Sequence, residues 1–373
     1  MTEKQWIFSQ LDTWFFRESR PYNAIGGSQL ATVFPPSART VAGAVRTLIG
    51  EQAGINWEAF NDNKGTTHND LHEQIGDADN LGKLQLIGPY LLYKGERLYP
   101  VPLILLEKDG QFTRLCPGEP VECDIGYVRL PALKETIAGA KPIENAWLTT
   151  KALEQVLADQ NPSKSSYHYS EELFDIEPRL GIALNRESRT VEESMLYQNQ
   201  HIRIRDDNLQ IGIIVKGIKE TLHPKMEPNN TARVRFGGEG RLAEVKVTSN
   251  LPKLAPPDLS KTKKIMLTLL SPANLEGDWL PQGFTEVPDS KEKNWRGTLN
   301  GVELTIISAV LGKSIREGGW DLARKQPREV ISLIPAGSVW FCQLEKGNAE
   351  KLQGYQIGKE TEFGRGEIAV GIW

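Results

Sequence analysis

Cysteine is scarce: Cys116, Cys123 and Cys342 are the three in 373 residues, and no two form a Cys-x-x-Cys pair. An odd count excludes an even disulfide framework, and the spacing gives no structural zinc module, so a reducing cytoplasm is the expected compartment. Histidine is almost as rare, with five. His68 and His72 are spaced for one helical face, but no third ligand follows at a zinc spacing, so no metal is expected. No stretch approaches the roughly 18 uninterrupted apolar residues of a membrane helix. The start, MTEKQWIFSQLDTWFF, lacks the basic opening and apolar run of a signal peptide. Leu311-Gly312-Lys313-Ser314 ends as a P-loop ends, yet Ile307 stands where its first glycine belongs. A cationic excess is also missing. Lys and Arg number 44 against 48 Asp and Glu, for a net charge of −4, whereas a free-standing nucleic-acid binder is usually basic.

What is present is a globular, turn-rich composition, with 39% hydrophobic residues, 34 glycines and 22 prolines; that excludes a disordered chain. The charge is uneven. Between His201 and Asn250 there are nine Lys or Arg against six Asp or Glu, a mildly positive window inside an acidic chain. Residues 5–16 read as an apolar strand. After a Pro/Gly-rich loop, Pro35-Pro36-Ser37 opens an amphipathic helix to about Gln52. Residues 54–82 read as a polar surface insertion, and 149–159 as a second short helix. Strand patterns recur at 84–93, 97–106, 112–115, 180–184, 201–205, 210–216, 232–236 and 241–248. Residues 251–263, rich in proline and lysine, form the best linker. Domains are therefore expected at 1–250 and 264–373. Each opens on an apolar strand and closes on a strand after a glycine-rich loop, which points to two α+β units of the ferredoxin-like βαββαβ kind.

Three motifs carry candidate chemistry. In the first helix, Val41, Val45 and Leu48 form a core stripe, while Arg39, Gly43 and Arg46 fall opposite at the same spacing. Two arginines around a glycine leave a bare, cationic spot for a sugar–phosphate backbone. Ser37 at the N-cap leaves helix N–H groups for an anion; a solvated arginine face with a packing glycine gives the same pattern. Gly237-Gly238-Glu239-Gly240-Arg241 and Gly364-Arg365-Gly366 each place an arginine in a glycine loop before a strand. Such loops bring backbone N–H groups to phosphates, though they also simply turn corners. Arg17 and Arg20 lie beside Phe15, Phe16 and Tyr22, and Tyr197 lies near His201, an interleaving of rings and cations that suits single-stranded RNA.

Taken in order, these stretches resemble the RAMP superfamily of CRISPR proteins, and within it the Cmr-type subunit that caps the guide RNA 5′ end in type III-B effectors. The resemblance rests on residues 11–22, on Phe34-Pro-Pro-Ser37 through Arg46, and on 75–77 and 81–89. It continues through 179–190 and 195–197 to the two glycine loops. It implies two ferredoxin-like (RRM-related) domains that hold the repeat-derived 5′ tag of the guide (crRNA). It also implies contacts to the large polymerase-like subunit and to the backbone RAMP subunit, without catalysis or cofactor. Arg39, Thr40, Gly43 and Arg46 match the family's Pro-Ser-x-x-x-x-Gly-x-x-Arg element, and Gly237, Gly238, Gly240 and Arg241 its glycine loop. A thumb-like extension is implied near 180–205, where Arg186, Arg189, Arg203 and Arg205 cluster. A competing reading is a repeat-cleaving, metal-independent endoribonuclease on the same fold, with His201 as general acid or base. The equivalent Csm subunit is a third.

Overall fold

The computed structural model describes residues 3–18, 29–61, 69–78, 80–184, 191–224, 231–288 and 290–373. The chain divides into two compact units, each assembled from separated stretches. The first comprises residues 1–95, 171–251 and 316–331; the second comprises 96–170, 252–315 and 332–373. Residues 96–170, inside the span read from the sequence as the first domain, thus belong to the second unit.

In the first unit, the strand Lys4–Gln10 (β1) is flanked by Leu242–Thr248 and Leu209–Lys216. Ala232–Arg235 and Gln85–Tyr93 extend the sheet outward on either side, and every pairing is antiparallel. Trp6 and Phe8 alternate along β1 onto the core face and are fully buried. The helix Ala38–Gln52 (α1) buries Val41, Ala42, Val45, Leu48 and Ile49 and packs on the strands Gln85–Tyr93 and Ala232–Arg235. Its periodicity of 3.6 turns that stripe inward and leaves Gly43 outside. Gly50, near the other end, has a packing reason: a Cβ there would meet Trp57 at 2.5 Å. A long hairpin, Phe174–Leu184 with Val191–Ile204, completes the unit with the two-residue strand Gln29–Leu30.

The second unit is built on six antiparallel strands in the order Thr285–Glu286, Trp295–Leu299, Val302–Val310, Val339–Lys346, Lys264–Leu269, Ile368–Ile372. Both faces of its centre are covered. Met266 and Phe341 join the helix Thr150–Leu157 in one apolar cluster. Ile265, Leu267, Trp340 and Cys342 face a second cluster. That alternation is why the strands read as near-continuous apolar runs. Burial pushes the Cys342 thiol far above its ordinary value. Arg97 and Glu367 form a buried bidentate pair at 3.0 and 2.6 Å.

The expectation of two ferredoxin-like βαββαβ domains does not hold. The chain is made chiefly of small antiparallel sheets with few helices. Among the described residues of 264–373 the helical segments are 3₁₀ turns and none is an α-helix. The reason is visible in the connections. Pro272, Pro281 and Pro288 interrupt 270–301, and Gly347, Gly354, Gly358, Gly364 and Gly366 punctuate 347–367. Both residue types oppose helix interiors. In the first unit, a 3₁₀ turn at Glu220–Leu222 followed by Pro224 lies where the motif calls for a second helix. The strand expected over 5–16 ends at Gln10; Trp14, Phe15 and Phe16 beyond it are core residues. No helix among the described residues is long and apolar enough to cross a membrane.

Candidate nucleic-acid interface

The start of α1 is organised as the sequence implies. Ser37 Oγ accepts from the Thr40 backbone N–H at 3.3 Å and lies 3.0 Å from Thr40 Oγ1, so these two hydroxyls close the cap on each other. No acidic residue occupies the first turn, which leaves the positive end of the helix dipole uncompensated within the helix. Arg39 is half-buried. A Cβ placed on Gly43 would meet nothing within 4 Å. Arg46 is turned toward the protein: its Nη2 donates to the Gly76 carbonyl at 3.3 Å, and its Nε is buried without a hydrogen bond. Burial lowers its pKa, Asp77 opposes that shift, and Arg328 adds to it. The open surface of this face is therefore centred on Gly43.

The glycine loop at 237–241 packs on the segment that follows β1. Gly238 N–H donates to the Phe15 carbonyl at 2.8 Å, and a Cβ on Gly237 (φ +86°) would meet that oxygen at 2.5 Å. Arg241 Nη1 donates to Asp12 at 2.6 Å. Glu239 accepts from Asn199 Nδ2 and, at 3.0 Å, from His201 Nε2. A carboxylate only accepts, so Nε2 carries the proton and Nδ1 accepts from Thr13 Oγ1 at 2.9 Å. His201 is fully buried and stacks on Phe15. Burial lowers its pKa, followed by Arg179 and Arg241, against an opposing pull from Glu239. With both ring nitrogens engaged, His201 ties the hairpin to the glycine loop and does not face a substrate.

Along the hairpin, charges alternate across the ladder. Asp175 opposes Arg203, and Glu177 opposes His201. Arg205 grips Asp175 with two bonds at 2.8 and 2.6 Å, while Glu177 accepts from Arg203 and from Arg179 at 2.7 Å. Those bonds from Arg203 and Arg179 hold the Glu177 carboxyl down at about 2. Arg203 and Arg205 remain exposed, in pairs of the solvated kind that contribute little to stability and that a phosphate can displace.

The remaining candidates divide cleanly. Arg20, Tyr22, His68, Arg186 and Arg189 lie outside the described residues. Arg17 is half-buried beside Thr32. Gly364, Arg365 and Gly366 belong to the second unit and are all buried, with Arg365 only 1% exposed and 3.0 Å from Glu360. Phe15 and Phe16 are core rings. His72 stacks on Phe60 at 3.8 Å, and no metal-holding cluster occurs among the described residues. Sequence reasoning gave Arg179 no role beyond opening the resembling stretch 179–190, and it passed over Arg328. The first was legible in the period-2 pattern Asp175-x-Glu177-x-Arg179, which places all three on one strand face. The second, held by Asp321 at 3.1 Å, lies in a stretch with no repeating pattern.

Fold and site together define a class: an insertion-rich, antiparallel β protein with a bare helix glycine beside Arg39 and exposed arginines on one long hairpin. A family model described as CRISPR-associated protein (Cas_Cmr3) matches residues 6–373. The chain therefore belongs to the Cmr3 family and is a type III-B Cmr subunit of CRISPR defence. No curated protein matches it. Among solved structures, it is similar to a chain of the type III-B Cmr-beta complex bound to cognate target RNA and AMPPnP, with 15% identity over 90% of this chain and 86% of that one, at a TM-score of 0.49. The same complex bound to cognate target RNA matches with 15% identity over 90% and 86%, at 0.48. An RAMP protein binding different RNA substrates matches with 11% identity over 53% and 79%, at 0.22.

Proposed function

We propose that this chain is a non-catalytic subunit of its effector. In this reading it holds the repeat-derived 5′ tag of the guide RNA and bridges the large polymerase-like subunit to the backbone RAMP subunit. The observation that carries the reading is Gly43. A glycine inside a helix costs about 1 kcal/mol relative to alanine. At Gly43 neither positive φ nor packing accounts for it, because the space over its Cα is empty. A sugar–phosphate backbone laid across the first turns of α1, between Arg39 and the hairpin cations, supplies the missing reason. The sealed environment of His201 supports the absence of catalysis, since a general acid or base has to reach the scissile phosphate.

The test uses guide RNA with and without its tag, bound by the free chain and by the reconstituted complex. The variants are Gly43→Glu and Arg39→Glu, with RNA integrity read in the same samples. The expected result is tag-dependent binding weakened about tenfold or more, or about 1.4 kcal/mol, with intact RNA and no loss of melting temperature. Undiminished binding by both variants overturns the groove. Cleavage lost on His201→Ala overturns the non-catalytic role.

A further inference from the structure

A second feature lies wholly inside the second unit and does not depend on the Gly43 surface. A cavity of about 240 Å³ opens between the strand Gln111–Cys123 and the end of the sheet at 372–373. Met266, Phe341 and Ile104 supply an apolar floor, and Trp373 stands as an aromatic wall. The indole is fixed in place, because its Nε1 donates to the Cys342 carbonyl at 3.3 Å and its ring meets Phe341 edge-on.

The rim carries three cations and one carboxylate: Arg114, Lys134, Lys264 and Asp159. Arg114 is a structural cation, with Nη1 donating to Val156 O and Asp159 Oδ1 and Nη2 to Gln160 O and Asn161 Oδ1. It thereby caps the helix Thr150–Leu157 at its negative end. Lys134 takes the other oxygen of Asp159 at 2.5 Å. Both carboxylate oxygens are thus engaged, and Lys264 pairs with no carboxylate among the described residues. Instead its Nζ stands 4.6 Å from the Trp373 ring centroid. The site is net positive, with an ammonium beside an aromatic wall.

We infer that this cavity binds one nucleoside monophosphate unit, its base against Trp373 and the apolar floor and its phosphate on Lys264 and Lys134. The volume is below the roughly 300–1,000 Å³ of drug-sized pockets, so the cavity encloses one base and leaves the ribose and phosphate at its cationic rim. Every base offers a π-face to an aromatic wall, and lysines bind phosphate as point charges. A peptide suits it less well. Its N–H groups require acceptors, and the only carboxylate in the lining is already saturated. With the Arg114 Nη donors spent on the helix end, the site reads shape and charge and tolerates different bases. The unit is either a free mononucleotide or the 5′-phosphorylated end of an RNA strand.

Cys116 lines the same cavity and is half-buried, while Cys342 is fully buried. This gives a readout independent of RNA capture elsewhere. In the full chain carrying Cys123→Ser, maleimide modification of Cys116 is timed with AMP, UMP, adenosine and a short 5′-phosphorylated RNA. At about ten times the dissociation constant, the bound nucleotide slows modification about tenfold. Adenosine protects far less, Lys264→Glu abolishes the protection, and Gly43→Glu leaves the protection by AMP and UMP unchanged. Protection by AMP and UMP identifies a free nucleotide as sufficient, and protection by the RNA alone assigns the site to a strand end. No protection by any nucleotide at millimolar concentration overturns the proposal, as does equal protection by an acidic peptide.

Discussion

The loops at 237–241 and 358–366 read alike, each a run of glycines with one arginine before a strand, yet the fold uses them differently. In the first, Gly237 and Gly240 are exposed, Gly237 packs on the Phe15 carbonyl while Gly240 stands in open space, and Arg241 reaches a partly exposed Asp12. In the second, Gly364, Arg365 and Gly366 are buried, and Arg365 is an internal cation beside Glu360. A glycine-arginine loop is thus two devices in one spelling. Where the backbone of another segment crosses at contact distance, the glycine is a packing requirement. Where it does not, as at Gly240, the loop is free to face a ligand.

The largest expected effect breaks the second loop. A Cβ on Gly366 (φ +73°) would sit 1.9 Å from the Ile357 carbonyl oxygen, and neither atom belongs to a flexible side chain. Gly366→Ala should destabilise by about 3 kcal/mol or more, from left-handed strain and overpacking together. Gly240 also has positive φ, but its methyl would meet nothing within 4 Å. Gly240→Ala should therefore lose only about 1–2 kcal/mol. Thermal denaturation of both variants checks the contrast; equal losses would dissolve it.

The arginines give the next effect. Removing a buried partner strands its counter-charge, at about 3–5 kcal/mol for a fully buried pair; the Glu360 side chain is 26% exposed, so Arg365→Met should cost somewhat less. Arg241→Met loses an ion pair whose acid is 55% exposed, worth about 1 kcal/mol or below. Urea midpoints for the two variants measure the difference directly.

How far these differences were legible from sequence depends on the length scale of the cause. The helix over 38–52, its Ser37 cap and its core stripe of Val41, Val45 and Leu48 follow from spacings within one element, and each is present in the structure. Short-range patterning also placed most strands, since it needs only alternation along the chain. What local pattern does not contain is who comes to lie against whom. Nothing in Gly364-Arg365-Gly366 announces that Ile357 folds back on it. Nor does His201-x-Arg203-x-Arg205 reveal that Thr13 and Glu239 enclose its histidine. The βαββαβ expectation failed for a related reason. Apolar strands at the start and end of each half are compatible with many connections, and the prolines and glycines of 270–301 and 347–367 were the signal against helices there. Arg39 and Gly43 were legible as a surface pair; that Arg46 turns back to Gly76 was not.

Acid separates the two loops further. Glu239 of the first loop is bonded to His201, whose pKa is lowered chiefly by burial, and burial also lowers that of His223 in the same unit. A histidine with a lowered folded pKa takes up its proton first in the unfolded chain. Its contribution is therefore complete above the ordinary value of about 6.5 and is lost as pH falls through the folded pKa. The melting temperature should drop as pH falls from about 7 to below the ordinary histidine value of about 6.5. A His201→Leu variant should start lower but fall less over that interval. An identical pH slope in the variant would remove His201 from the acid response and leave it to His223.

The smallest effect concerns the glycine that belongs to neither loop. Gly43 sits in a regular helix without positive φ, and a methyl group there meets no atom. Gly43→Ala should therefore stabilise the chain by about 0.5–1 kcal/mol, a rise of about 1–4 °C in melting temperature. If the bare surface is kept for a nucleic-acid backbone, the same methyl should weaken binding of tagged guide RNA by a few-fold, so that stability and affinity move in opposite directions. A stabilised variant with unaltered RNA affinity would make Gly43 a neutral occupant of an ordinary solvated face. A destabilised one would return it to the class of Gly50 and Gly366, where packing sets the residue.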